Sequence, residues 1–116
     1  MNSLIEKIFA DFKVNGKSIP VSFLKYDGPE ETYITYQNID NNGVLAGDNE
    51  IIGYIDYYDF DIYSKSNYFK IVREIKKILK ANGFMWQPSM SSSDMIEDDT
   101  KLYHKTLCFA IERMEE

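Results

Sequence analysis

The fold of this 116-residue chain is decided by the stretch Ile51-Ile52-Gly53-Tyr54-Ile55-Asp56-Tyr57-Tyr58-Asp59-Phe60-Asp61-Ile62-Tyr63. β-Branched and aromatic residues dominate it, and these residue types favour strands. Side chains alternate between the two faces of a strand, which places Tyr54, Tyr58, Phe60 and Ile62 together. The other face carries Ile55, Tyr57, Asp59, Asp61 and Tyr63. The pattern predicts a long strand whose second face is wet near Asp59 and Asp61.

An amphipathic helix is predicted directly after this strand. Ser64-Lys65-Ser66-Asn67 is typical of a tight turn, and Ser66 or Asn67 is a suitable N-cap. Apolar residues recur at helical spacing from Tyr68 to Ala81, which predicts a buried stripe of Phe69, Val72, Ile75, Ile78 and Leu79, with Ile71 beside it. Asn82-Gly83-Phe84 predicts a left-handed C-cap, with Phe84 returning to the core. The basic opposite face is interpreted as solvated.

Three elements are predicted before the long strand. Ser3 and Glu6 form a capping-box pattern, and the apolar residues that follow predict a helix from Leu4 to Phe12 that packs on a sheet. Asn15-Gly16 predicts a turn. The alternation from Ile19 to Phe23 predicts a strand. Because proline donates no ladder hydrogen bond, Pro20 predicts that this strand lies at a sheet edge or begins there. Thr32 to Ile39 is a second predicted strand.

The remaining segments complete the predicted order. Asp40 to Glu50 is expected to be a polar hairpin loop that ends the second strand at Asp40-Asn41-Asn42-Gly43 and carries the apolar island Val44-Leu45-Ala46. This island is either a contact surface or a segment tucked onto the sheet. A short strand over Phe84–Gln87, a polar loop over Ser89–Thr100 and a final strand over Lys101–Arg113 follow. We therefore expect a single α+β domain, residues 1–116, with a mostly antiparallel sheet and two helices in the order α-β-β-β-α-β-β.

Composition limits the classes of function. The net charge of −6 opposes binding to nucleic-acid phosphates and favours basic partners. No run of about 18 apolar residues predicts a membrane span, and Met1-Asn2-Ser3 does not begin a signal peptide. Cys108 is the only cysteine, which excludes an intramolecular disulfide and fits a cytoplasmic folding site.

Nucleophilic catalysis is not indicated by the residues. His104 and Cys108 share one face of the last predicted strand, about 13 Å apart at strand spacing, which is too far for a thiolate–imidazole pair. Asp59 and Asp61 are same-face neighbours about 7 Å apart, and with Asp56 they suggest a carboxylate pair or a metal site. Further oxygen ligands would have to come from the loop residues Asp94, Glu97, Asp98 and Asp99. We favour a structural interpretation, in which these residues form a solvated strand face or a salt-bridged subunit contact. We expect no enzyme activity, no cofactor and no bound metal.

The order of elements resembles a known family. The features that carry the resemblance are an N-terminal helix, a Tyr-rich hairpin ending in Asp61-Ile62-Tyr63-Ser64-Lys65, Asn67-Tyr68 opening a helix, Gly83-Phe84, an acidic loop, and Tyr103-His104-Lys105 leading into a strand with Phe109. In this order the chain resembles the tail terminator, or tail-to-head joining, proteins of siphophages and prophages of Gram-positive bacteria. The likeness covers nearly the whole chain, and its individual motifs are short and structural.

This resemblance implies a structural protein. Its subunits would form a homo-hexameric ring at the head-proximal end of the tail tube, with the tail tube protein and head connector proteins as partners. It implies assembly in the host cytoplasm and a final place in the virion tail, without nucleic-acid specificity or membrane contact. It supplies no catalytic residues. We expect Tyr57, Asp59, Asp61 and Tyr63 of the long strand, with Val44 and Leu45 of the loop, to take part in the subunit interface.

Two other classes of function stay open at this point. Another head–tail connector or a minor capsid subunit would share this composition and fold. An acidic monomeric module that binds or inhibits a basic partner would also fit the net charge of −6.

Overall fold

The computed structural model describes residues 2–45, 50–92, 94–96 and 102–114. It is an α+β domain with a mostly antiparallel sheet and two helices, in the predicted order. The elements are α1 (Asn2–Ile8), β1 (Lys13–Val14), β2 (Lys17–Ser18), β3 (Val21–Phe23), β4 (Tyr33–Leu45), β5 (Ile51–Ser64), α2 (Phe69–Ala81), β6 (Met85–Trp86), a 3-10 turn (Pro88–Met90), β7 (Met95–Ile96) and β8 (Tyr103–Met114).

The main sheet has the strand order β3-β4-β5-β8-β6, and β7 pairs with β8 beside β6. β5 is central and is paired along its length on both sides, from Tyr63 opposite Tyr33 and His104 to Gly53 opposite Val44 and Met114. All pairings are antiparallel except that of β3 with β4, which is parallel. Its pairing on both sides makes β5 the central strand of the sheet, to which β3, β6 and β7 are joined through β4 or β8.

The core lies between one face of this sheet and the two helices. Phe60 of β5 is fully buried, and its ring meets those of Phe9, Tyr36, Phe84 and Phe109 at centroid distances of 5.9, 6.0, 6.5 and 5.7 Å. From α2, the fully or largely buried side chains are Ile71, Ile75 and Leu79. Because both helices pack against this face, the opposite face of β5 carries no described helix.

Several local signals act as predicted. Asn15 and Gly16 both have positive φ, of 56° and 76°, and join β1 to β2 in a two-residue hairpin. Gly83 has φ of 89° after α2, and Phe84 returns to the core. The predicted N-cap of α2 differs: the N-cap residue is Tyr68, which makes no side-chain capping bond, and the side chain of Asn67, one residue earlier, accepts a hydrogen bond from the Phe69 amide. β3, which follows Pro20, is an edge strand.

The ends of the helices correct three predictions. α1 begins at Asn2, so Ser3 lies inside the helix and the capping-box prediction is wrong. α1 ends at Ile8, and Phe9 and Phe12 reach the core from a turn rather than from the predicted helix. Phe69 was expected in the buried stripe of α2 but is 65% exposed, because it is the first residue of the helix and lies beyond the core.

The predicted loop from Asp40 to Glu50 is mostly strand. β4 continues to Leu45 through a bulge at Asn38–Asp40, and Asp40 to Val44 pair with Tyr57 to Gly53. Asn and Gly residues favour the end of a strand, but the cross-strand partners that β5 offers override that propensity. Residues 46–49 lie outside the described part of the chain, as do 93 and 97–101. The predicted loop over Ser89–Thr100 contains part of the 3-10 turn and β7.

Candidate interaction surface

The face of the sheet opposite the helices is the surface predicted from the sequence. Tyr57, Asp59, Asp61 and Tyr63 of β5 all lie on it and are half-buried, as the alternation required. Their neighbours on β4 and β8 share the same face, for instance Thr35 and Thr106 on either side of Asp61. We call this surface, made of the four β5 residues and their cross-strand neighbours, the open face.

A row of aromatic rings crosses the open face at one end. Tyr26, Tyr33, Tyr63 and His104 stack in that order, with successive centroid distances of 4.8, 4.8 and 4.3 Å and interplanar angles of 29°, 22° and 13°. Tyr33, Tyr63 and His104 are cross-strand partners, and aromatic pairs of this kind stabilise a sheet. Tyr26 joins the row from the segment after β3. Because the rings lie face to face, they present edges to the surface. The row is therefore a rigid polar-edged ridge rather than a flat stacking platform.

Asp61 is held by hydrogen bonds within the open face. Its Oδ1 accepts a hydrogen bond from the Thr106 hydroxyl and lies 3.0 Å from His104 Nε2. The side chains of Asp61 and His104 are only 17% and 19% exposed. Both donors come from β8, the strand next to β5, so the pairing register itself satisfies this carboxylate.

Asp59 lies two residues away on the same face but in a different environment. Its Oδ1 is buried and has no hydrogen-bond partner among the described residues. Burial raises the pKa of Asp59, the charge of Asp61 raises it further, and contact with the Cys108 thiol opposes both effects. The fold therefore holds a charged group where the charge is disfavoured.

We expect Asp59→Asn and Asp61→Asn to have opposite effects on stability at pH 7. Asp59→Asn removes a charge that burial and Asp61 disfavour, so it should raise the free energy of unfolding at pH 7. Asp61→Asn weakens the bonds from His104 and Thr106 and should lower it by about 1 to 2 kcal/mol. Urea unfolding of both variants at one protein concentration measures the difference. If both substitutions raise or both lower the free energy of unfolding, the different environments assigned to Asp59 and Asp61 are contradicted.

The effect at Asp59 should depend on pH. The pKa of Asp59 is raised in the folded protein, so the wild type regains stability as pH falls through that raised pKa toward the ordinary value of 3.8. The advantage of Asp59→Asn should therefore be greatest at neutral pH and should shrink as pH falls through this window. An advantage that stayed constant down to pH 4 would mean that the Asp59 charge is not its cause.

Cys108 and His104 are brought to different carboxylates. Cys108 lies opposite Asp59, and His104 contacts Asp61. Burial, then the charge of Asp59 and a hydrogen bond with it, raise the pKa of the Cys108 thiol to about 11. Cys108 is also fully buried. The thiolate, which is the nucleophilic form, is thus scarce at neutral pH.

We expect the Cys108 thiol to react slowly with a thiol reagent such as iodoacetamide in the folded protein at pH 8. At that pH, roughly one thiol in a thousand is ionised when the pKa is about 11, and burial denies access to the reagent. In urea the reaction should reach the rate of a free cysteine. Mass spectrometry of timed aliquots measures both rates. A folded-state rate equal to the rate in urea would contradict this environment.

The acidic side chains do not form a metal site within the described part of the chain. No group of three His, Cys, Asp or Glu residues converges there. Asp94 instead accepts hydrogen bonds from the Tyr68 hydroxyl and from Lys105, at 3.2 Å for the lysine, which lower its pKa. Glu97, Asp98 and Asp99 lie outside the described residues.

The β4–β5 hairpin carries the second predicted contact. Val44 is exposed and pairs with Gly53 near the end of the hairpin. Ile51 and Ile52 beside it are also exposed, although the sequence analysis did not single them out. Leu45 pairs with Ile51, but its side chain and Ala46 are outside the described part. We call Val44, Ile51 and Ile52 the hairpin tip.

No protein-family model matches this chain, and no curated protein sequence matches it. No described helix is long and apolar enough to cross a membrane.

The structure also has a groove of about 870 Å³ that the sequence patterns do not predict. It lies between the β1–β2 turn, the segment Pro29–Thr32 and the first turn of α2. Its charges are mixed, and Lys65 pairs with Glu31 across 3.3 Å. Groups of opposite sign neutralise one another there, so the groove offers no concentrated charge to a ligand.

Proposed function

We propose that this protein is a structural tail-completion subunit of a phage or prophage, a tail terminator that forms a homo-hexameric ring at the head-proximal end of the tail tube. The ring would stop growth of the tube and join it to the head connector. The order of elements quoted in the sequence analysis supports this proposal. It also fits an α+β subunit whose central strand leaves one face without a helix.

The observation that carries the proposal is the state of Asp59 on the open face. A carboxylate kept where its charge is disfavoured lowers the stability of the isolated subunit. Residues retained at a cost to stability are concentrated at functional positions. A cation on a neighbouring molecule that lies against the half-buried Asp59 would offset the disfavoured charge. The open face therefore has the character of one half of a contact.

The mechanism in this proposal is surface matching without chemistry. The aromatic row and the paired Asp61 give the open face a fixed shape, because each is held by contacts across strands. The hairpin tip adds exposed apolar side chains. A closed ring requires such patches to meet different patches on the next subunit or on the tube.

The test is to measure stability and assembly on the same variants. Asp59→Asn should be more stable than wild type yet associate more weakly, because it gives up a charge that serves the contact. Val44→Asp should also weaken association, since it places a charge in an apolar patch. Light scattering over a concentration range reports association, and urea unfolding reports stability. Association unchanged in both variants would count against the open face and the hairpin tip as contacts.

A monomeric acidic binding module is the alternative outcome. Its signature would be a constant mass of 13.6 kDa at every concentration, together with one-to-one binding to a basic partner. Another connector or minor capsid subunit would be distinguished by which virion protein captures the ring.

A further inference from the structure

Exposed apolar side chains lie along two opposite edges of the main sheet. On the outer side of β8 are Met85, Trp86, Met90, Met95 and Ile96, each 40% to 57% exposed. We call these five residues the methionine edge. At the opposite edge of the sheet are Phe23 and Leu24 at the end of β3 and Ile39 on β4, each 41% to 57% exposed. We call these three residues the β3 edge. Neither edge was singled out by the sequence.

The backbone of the β3 edge is strained. Leu24 has φ of 66°, a conformation that bulky residues rarely adopt. The Lys25 amide donates to the Phe23 carbonyl at 2.8 Å, which closes a tight γ-turn around Leu24. A glycine would form this turn without strain. Since leucine occupies the position and is 57% exposed, the turn presents an apolar side chain to the outside.

The two edges also carry opposite charges. Lys76 lies 3.5 Å from the centre of the Trp86 ring. Burial lowers the pKa of Lys76, and the nearby charge of Lys105 lowers it further. Both lie on the methionine-edge side, where Lys105 is also paired with the exposed Asp94 at 3.2 Å, whereas Lys70 of α2 contacts Asn15 of the β1–β2 turn. On the β3-edge side, Glu30 and Asp40 are exposed, and the exposed Asp27 is paired with Lys25 at 3.5 Å. A basic edge and an acidic edge of one molecule are complementary.

We infer that the methionine edge of one copy binds the β3 edge of the next copy, so that the subunits join head to tail. This inference rests on the proposed ring and adds its lateral contact. Because the two patches differ and lie on opposite sides of one sheet, the contact is heterologous, which is the type that closes into rings. Methionine side chains are flexible and polarisable, and they adapt around the fixed Phe23 and Leu24. The lysines of one copy then face the acidic groups of its neighbour.

The experiment compares Leu24→Asp and Met85→Asp with the matched control Phe69→Asp. Phe69 is 65% exposed but belongs to neither edge. Light scattering and sedimentation should show association weakened by about tenfold or more in each edge variant, the loss expected for a disrupted interface anchor. The control should associate as the wild type does. Edge variants that associate like the control would overturn the inference.

Mixing the two edge variants tests the head-to-tail arrangement. Leu24→Asp keeps an intact methionine edge, and Met85→Asp keeps an intact β3 edge. The mixture should therefore form one-to-one heterodimers that grow no further, while each variant alone stays monomeric. A mixture with no heterodimer would contradict a heterologous contact between these edges.

Leu24→Gly separates loss of contact from loss of folding. It relieves the positive φ, so the thermal midpoint of the subunit should rise by about 2 to 5 °C. It also removes the side chain, so association should fall by about tenfold. Association equal to wild type in this variant would overturn the role of Leu24. If the wild type and every edge variant assemble equally well, the contact between the two edges is wrong but the proposed ring is not contradicted. If the wild type never assembles, the proposed ring is contradicted as well.

Discussion

Phe60→Ala is expected to lower the free energy of unfolding by about 3 to 5 kcal/mol. Phe60 is fully buried on the central strand, and its ring contacts Phe9 near α1, Tyr36 on β4, Phe84 after α2 and Phe109 on β8. The substitution leaves a cavity at the point where helices and strands meet. Since domains of this size have about 5 to 15 kcal/mol of stability, the variant should be close to unfolding.

Urea unfolding followed by circular dichroism measures this loss, with Phe69→Ala as the matched control. Phe69 is 65% exposed, so its truncation should change the free energy of unfolding by less than about 0.5 kcal/mol. Both variants should be compared with wild type at one protein concentration, because association would add to apparent stability. Similar losses at Phe60 and Phe69 would mean that the core is not centred on β5.

Arg113→Ala is the second substitution for which we expect a large loss of stability. It is expected to lower the free energy of unfolding by about 2 to 3 kcal/mol. Asp56 is only 3% exposed, and Arg113 Nε lies 2.9 Å from its Oδ2. Truncation leaves the buried carboxylate without this cation, and it also removes the guanidinium from the Tyr54 ring, 4.5 Å away. We place the loss below that of a fully buried pair because the Arg113 side chain is 41% exposed.

A double variant provides the control for the ion pair. Asp56→Leu together with Arg113→Met removes both charges, and it should recover most of the stability that Arg113→Ala loses. The pair lies near the β4–β5 hairpin, where Asp56 is opposite Asn41. Hydrogen exchange of β4 should therefore increase in Arg113→Ala and return toward wild type in the double variant. Arg113→Ala with wild-type stability would contradict a structural role for the pair.

Much of the fold could be predicted because its signals are local. Alternation along β5 places Phe60 inside and Asp59 outside, and Asn15-Gly16 and Gly83 adopt positive φ as their residue types favour. The length of β4 could not be predicted this way. Asp40 to Gly43 have poor strand propensity, and they remain in β4 because β5 continues opposite them. That partner is set by tertiary structure and not by the local sequence.

The candidate surface was predicted only in part. Strand parity places Tyr57, Asp59, Asp61 and Tyr63 on one face, and they do share it. The contrast between Asp59 and Asp61 depends on their neighbours in β8, Cys108 for one and Thr106 with His104 for the other. Those neighbours follow from the register of residues far apart in sequence. The methionine edge was missed for a similar reason, since the apolar Met85 and Trp86 are exposed only because β6 lies outermost.

The mass of the purified wild-type protein in solution is the most direct test of the proposed function. Light scattering should be recorded over the widest concentration range that the protein tolerates. The account predicts a species of six times 13.6 kDa, or a mass that climbs toward this value as concentration rises. A mass of 13.6 kDa at every concentration would contradict a subunit that forms a ring by itself, and it would favour a monomeric binding module.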